Sequence, residues 1–103
     1  MNQSMLNEIR SMIVLNYIED IQAIYGFGSY FRSERYSDVD LVVVSSKKVK
    51  DELSLYLRLH NQLKVIVENH SVILDLTYLK YGEFNKAPIL EKGQLVTIFE
   101  NKF

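Results

Sequence analysis

The sequence predicts one α/β (α+β) domain in which a sheet of about four strands is backed by helices. Segments whose apolar residues follow helical spacing alternate along the chain with short runs rich in valine and isoleucine, the order typical of a helix-backed sheet. The 103 residues, of which 48% are hydrophobic and 24% are charged, also suit one compact globular unit spanning residues 1–103.

An amphipathic helix is predicted to open the chain. Between residues 5 and 20, apolar side chains recur at spacings of three and four, with polar residues between them, as in a helix that turns one face to a core. The predicted buried stripe consists of Met5, Ile9, Met12, Ile13 and Tyr17.

Two strands are predicted to follow this helix. Residues 21–27 are apolar and partly β-branched and run into Gly26 and Gly28, which indicates a short strand that ends in a tight turn. Residues 30–35 have the length of one or two helical turns. Residues 38–45, rich in valine, form the most strand-like run of the chain.

A long helix is predicted between residues 49 and 69, with Ser45 and Ser46 as candidate caps at its start. Helical spacing selects an inward stripe of Leu53, Tyr56, Leu57, His60, Leu63 and Val67. Three lysines cluster at the start of this helix, Lys47, Lys48 and Lys50. They fit a solvated face, and they also fit a contact with a triphosphate or nucleic acid.

The last third of the chain is predicted to contain two strands and a short helix. Residues 71–79 alternate in a strand-like manner, with Asp75 on the face opposite the leucines. Pro88 suits the first turn of a short helix that Gly93 would end, and residues 95–99 form the last strand.

Composition excludes several classes of function. With a net charge of −1, the chain lacks the basic field that holds a long nucleic acid. It contains no cysteine, which excludes disulfides and thiolate metal sites. The N-terminal residues lack the pattern of a secretory signal, and no run approaches the roughly 18 apolar residues that span a bilayer. We therefore expect a cytoplasmic protein that is not inserted in a membrane.

Three aspartates are the candidate catalytic and metal-ligating residues. Asp38 and Asp40 open the strand at residues 38–45 and lie on one face of it, with α-carbons about 6.5 Å apart. Like charges this close repel each other unless a cation lies between them. Asp75 is a charged residue in an otherwise apolar run and would join this pair if the two strands are neighbours. Carboxylate oxygens suit Mg²⁺ or Mn²⁺.

Together, the Gly28-Ser29 turn, the paired aspartates Asp38 and Asp40, and Asp75 resemble the nucleotidyltransferases of the DNA polymerase beta superfamily. The likeness is closest to its minimal nucleotidyltransferases and covers nearly the whole chain. It implies a palm fold with a mixed sheet. It also implies metal-dependent transfer of a nucleoside monophosphate from a nucleoside triphosphate, expected to be AMP from ATP, with release of pyrophosphate.

The resemblance also implies a role for each site residue. The paired aspartates and Asp75 would hold two metal ions, which clamp the attacking and leaving oxygens of an in-line displacement. Asp75 would in addition deprotonate or orient the acceptor hydroxyl. Gly28, Ser29 and Arg32 would contact the triphosphate, partly through backbone amides near a helix start.

Small domains of this kind are often encoded beside a HEPN-type protein, so the resemblance implies a HEPN-type toxin as partner and acceptor. This chain would then be a type VII-like antitoxin that modifies the toxin, and homo- or hetero-oligomers fit its small size.

Two other interpretations stay open. The loop between Ser29 and Asp38 is shorter than is usual in the family, and Ser33 replaces a usual glycine; both changes fit a weak or inactive module that neutralises its partner by binding. Transfer to a small molecule such as an aminoglycoside would need an acceptor pocket built by a dimer or a partner.

Overall fold

A computed structural model describes residues 3–27, 38–84 and 95–101. These ranges contain two α-helices and four strands, in the order α1 (Gln3–Asn16), β1 (Ile21–Phe27), β2 (Asp38–Ser45), α2 (Glu52–Glu68), β3 (Ile73–Leu79) and β4 (Val96–Glu100). The sheet order is β3-β2-β1-β4. β2 and β3 are parallel, whereas β1 is antiparallel to both β2 and β4. The predicted helix-backed mixed sheet of four strands is therefore confirmed.

The hydrophobic core lies between the two helices and one face of the sheet. α1 contributes most of its predicted stripe, although Met12 is only half-buried and Leu6 is buried as well. From β2 the core takes Val39, Leu41 and Val43. Because strand side chains alternate between faces, the residues between these three point to the second face of the sheet, where Val42 is buried as well.

The start of α2 differs from the predicted one. The helix begins later, at Glu52, and its N-cap is Asp51, whose carboxylate accepts a hydrogen bond from the backbone N–H of Ser54 at 2.9 Å. Ser45 and Ser46, the predicted caps, are buried instead. The Ser45 hydroxyl donates to Glu52 Oε1 at 2.8 Å, so it ties β2 to α2 rather than capping the helix.

The buried face of α2 also differs from the predicted stripe. Its buried residues are Leu55, Leu59, Leu63 and Val67, of which only the last two were predicted. Leu53 and Leu57, predicted to point inward, are 67% and 52% exposed. Two apolar rows with a spacing of four residues run along this helix, and periodicity alone does not say which of them faces the sheet.

The other predicted elements can be compared with the structure only within the described ranges. β3 starts at Ile73, later than predicted, because Ser71 adopts a left-handed φ of 64°. The helical turns predicted for residues 30–35 and the short helix between Pro88 and Gly93 lie outside the described residues. In the described ranges, no helix has the length and apolar character needed to cross a membrane.

Candidate active site

The parallel pairing of β2 with β3 brings the three predicted aspartates to one end of the second face of the sheet. Asp40 is the register partner of Asp75, and Asp38 is the register partner of Ile73. Register partners on neighbouring strands point to the same face, and so do residues two apart on one strand. All three carboxylates therefore lie on the face opposite the core residue Val39.

Asp40 is the most perturbed of the three acids. Burial is the largest cause that raises the pKa of its carboxyl group. A hydrogen bond shared with Asp75 and the negative charges of Asp75 and Asp38 raise this pKa further. Asp38 and Asp75 themselves are exposed. The like charges thus converge on one half-buried carboxyl group, and such convergence is typical of sites where a cation or a shared proton relieves the repulsion.

The donor set of this cluster fits a hard divalent cation, because all of its ligand atoms are carboxylate oxygens. In the three described segments, however, no group of three aspartate, glutamate, histidine or cysteine side chains already has an arrangement that would hold a metal ion. What the fold assembles is the Asp40–Asp75 pair, whose members are register partners on β2 and β3. Asp38 is close enough to act on Asp40 through its charge.

The pH dependence of stability is expected to reveal this pair. The pKa of Asp40 lies above its ordinary value of 3.8 in the folded protein. As the pH rises above 3.8, this carboxyl group loses its proton in the unfolded chain before it does so in the folded protein. The folded state then binds more protons than the unfolded state, so the free energy of unfolding falls. The fall ends once the folded carboxyl group has also ionised. We expect urea unfolding in EDTA to show this loss for the wild type relative to Asp40→Asn, which has no such proton. A stability difference that does not change with pH would contradict the pairing.

The predicted triphosphate contacts Gly28, Ser29 and Arg32 lie outside the described residues. The last described residue before them is Phe27, which is the register partner of Asp40. The segment that holds these three residues therefore starts at the carboxylate end of the sheet.

Aromatic side chains that the site prediction did not include lie beside the carboxylates. Phe27 shares a face with Asp40. Next along this face, Tyr25 stacks on Phe84 with ring centroids 4.9 Å apart and an interplanar angle of 10°. The second face of the sheet thus has an acidic end and an aromatic region. The alternation of aromatic with smaller residues in 24–27 is the sequence signal that predicts the first part of this surface.

The lysine cluster lies away from this site. β2 starts with the paired aspartates, whereas Lys47 and Lys48 follow its other end. From Asp40 to Lys47 the chain advances about 20 Å along the strand direction. The lysines are therefore not placed to contact a triphosphate held beside the aspartates.

Comparisons with known proteins agree with this geometry. Residues 7–101 match the family described as polymerase beta, nucleotidyltransferase. A chain from a mutant of the toxin–antitoxin MntA–HepT is 19% identical, with a TM-score of 0.62 over 99% of this chain and 75% of that chain. A chain from a toxin–antitoxin with AMP-PNP is 20% identical, with a TM-score of 0.60 over 94% of this chain and 74% of that one.

A further crystal structure, from Shewanella oneidensis, is 15% identical to this chain and has a TM-score of 0.62. The match covers 98% of this chain and 74% of the chain from Shewanella oneidensis. At these identities the three structures establish a shared fold. Among curated proteins, none matches the chain.

Proposed function

Because this chain belongs to the polymerase beta nucleotidyltransferase family, we propose that it transfers AMP from ATP to a hydroxyl group of a partner protein, with Mg²⁺ or Mn²⁺ as cofactor. The observation that carries the proposal is the register pairing of Asp40 with Asp75 on one sheet face, with Asp38 two residues away. The like charges that converge on the half-buried Asp40 carboxyl group repel one another, and a catalytic metal site would account for this convergence.

The three aspartates have different surroundings, which suit different tasks. Asp38 and Asp40 would hold the divalent ions, which neutralise charge on the triphosphate and align the reacting oxygens when they are bound. Asp75 is exposed and lies on β3, an edge strand of the described sheet. An acceptor hydroxyl can approach it from solvent, so Asp75 would orient this hydroxyl and accept its proton.

The segment after β1 would hold the triphosphate. We assign this contact to the backbone amide of Gly28, the hydroxyl of Ser29 and the guanidinium of Arg32. The position of Phe27 beside Asp40 supports the assignment, because the chain enters this segment next to the carboxylates. Backbone amides and an arginine are suitable donors for phosphate oxygens.

The solved structures of similar fold support a protein as acceptor. They include toxin–antitoxin complexes, one of them with AMP-PNP, an analogue of ATP. In another, two aspartates two positions apart are replaced by glutamates, the same spacing as between Asp38 and Asp40. We therefore propose a HEPN-type toxin as the partner and an antitoxin role in the cytoplasm, where ATP is available.

A second candidate function is neutralisation of the partner by binding alone. Large apolar side chains are exposed on both helices, among them Leu15 on α1 and Leu53 and Val65 on α2. Exposed apolar groups of this kind favour association with another protein. Ser33, which stands where the family usually has a glycine, is a second argument for this alternative. Together with the exposed apolar side chains, it favours a non-catalytic module as the second candidate.

Transfer of label separates the two candidates. The purified chain is incubated with ATP labelled at the α-phosphate, Mg²⁺ and the protein encoded by the neighbouring gene. Covalent label on that protein, absent when EDTA replaces Mg²⁺, is the expected result. A stable complex without label would favour neutralisation by binding. Label that appears only on an added aminoglycoside would instead identify a small-molecule acceptor.

A further inference from the structure

A basic pocket lies at the end of the sheet opposite the aspartates. It has a volume of about 150 Å³ and is lined by Gln22, Ser46, Lys47, Lys48 and Tyr81. The lysines belong to the cluster that the sequence analysis noted before α2. Because the pocket is separate from the carboxylates, the proposed transfer reaction does not explain it.

Three strand ends build this pocket. Gln22 lies at the register shift between β1 and β2. β3 ends at Leu79, which is the register partner of Val44, so the chain carries Tyr81 past the end of β2. The five lining residues therefore come from three separate parts of the chain and meet only in the folded protein.

Buried hydrogen bonds hold the turn that carries the lysines. Ser46 is buried, and its hydroxyl donates to the main-chain carbonyl of Glu19 at 2.7 Å. The same hydroxyl accepts the backbone N–H of Lys48 at 3.3 Å, and the backbone N–H of Ser46 donates to the carbonyl of Asp20 at 2.8 Å. These bonds order the backbone of the turn before any ligand binds, which lowers the entropy lost on binding.

Two acidic side chains near this turn accept backbone hydrogen bonds. The carboxylate of Asp51 accepts from the N–H of Ser54, and that of Glu83 accepts from the N–H of Lys80. Within the described part of the chain, no carboxylate lies within ion-pairing distance of Lys47. The positive charge of Lys47 is thus available to an external anion.

We propose that this pocket binds the phosphate group of a small nucleotide whose base stacks on Tyr81. The pocket volume of about 150 Å³ has room for one phosphate group. Lysine ammonium groups bind phosphate oxygens through charge-assisted hydrogen bonds. The ring of Tyr81 is 54% exposed at the rim, and exposed aromatic rings stack on nucleobases. The net charge of −1 favours a small nucleotide over a long polynucleotide.

The test is a titration followed by ¹H–¹⁵N NMR, in EDTA so that no divalent ion is present. AMP, inorganic phosphate and adenosine are added separately to the intact chain. AMP is expected to give saturable shifts at Gln22, Lys47, Lys48 and Tyr81, and phosphate to shift the same lysines with lower affinity. Adenosine is expected to act on Tyr81 alone. Shifts confined to the carboxylate end of the sheet, or no saturable shifts at all, would overturn the proposal.

Matched variants complete the test. The double variant Lys47→Ala/Lys48→Ala is expected to bind AMP about tenfold more weakly, the loss that accompanies removal of a charged hydrogen bond. Lys64→Ala removes an exposed lysine of α2 and is expected to bind normally. Equal weakening by Lys64→Ala would reveal a general charge effect and overturn the site. Phosphate that binds as tightly as AMP, or unchanged AMP binding in Tyr81→Ala, would overturn the assignment to a nucleotide. The NMR spectrum of each variant reports whether it is folded.

Discussion

Replacing Asp40 by asparagine is expected to lower the rate of nucleotidyl transfer by about 10³-fold or more, because the variant loses a negatively charged ligand at the reacting groups. The asparagine side chain would keep the size of the aspartate and one of its oxygens, but not the charge that holds a divalent ion. The measurement is the initial rate of label transfer from ATP at saturating Mg²⁺. Wild-type activity in this variant would show that the carboxylate cluster is not the catalytic site.

The same substitution is expected to leave the fold intact and to raise its thermal stability in EDTA. In the wild type, the half-buried carboxyl group of Asp40 faces two like charges, which raises its pKa and disfavours its ionised form at neutral pH. Asparagine removes this repulsion. Loss of activity without loss of stability is the pattern of a residue kept for function rather than for folding.

Two controls make this result specific. Glu19→Gln removes an exposed carboxylate just before β1, at the end of the sheet opposite the aspartates, and is expected to keep full activity. Added Mg²⁺ is expected to raise the unfolding midpoint of the wild type more than that of Asp40→Asn, since a ligand stabilises only the form that binds it. Equal shifts in the two proteins would contradict metal binding by Asp40.

The strands that position the site could be predicted closely because their signal is local. The bounds of β1 and β2 agree with the predicted 21–27 and 38–45, where β-branched residues are frequent and turn residues flank the runs. Asp75 was predicted to join the aspartate pair if its strand lies beside the strand at residues 38–45. The parallel register of β2 and β3 meets this condition. The exact pairing of Asp40 with Asp75 depends on how α2 crosses between these strands, which no local pattern encodes.

The start and the orientation of α2 show where local signals are insufficient. Three residues able to cap a helix stand before it, and the prediction named only the two serines. Ser45 is instead drawn to Glu52 by a tertiary contact, and the second Glu52 oxygen accepts from the hydroxyl of Tyr78 at 2.6 Å. This link between β2, β3 and the first turn of α2 determines which side of the helix meets the sheet. Side-chain spacing within the helix carries no information about it.

A pair of leucine substitutions tests this orientation directly, and one of them is expected to have a large effect. Leu59 is fully buried, whereas Leu57, two residues earlier, is 52% exposed. Leu59→Ala is expected to lower the free energy of unfolding by about 2–5 kcal/mol, since it leaves a cavity among core side chains. Domains of this size are stable by about 5–15 kcal/mol in total, so this variant would be close to unfolding at 37 °C.

Leu57→Ala is the matched control, because it removes the same atoms from the same helix with the same gain in helix propensity. It is expected to change the free energy of unfolding by no more than about 0.5 kcal/mol. Urea unfolding of both variants, followed by circular dichroism, measures the difference. The stripe predicted from spacing places Leu57 inward and omits Leu59, so it requires the opposite order of effects. A larger loss for Leu57→Ala would mean that α2 is rotated, and with it the contact from Glu52 to the strands that carry Asp40 and Asp75.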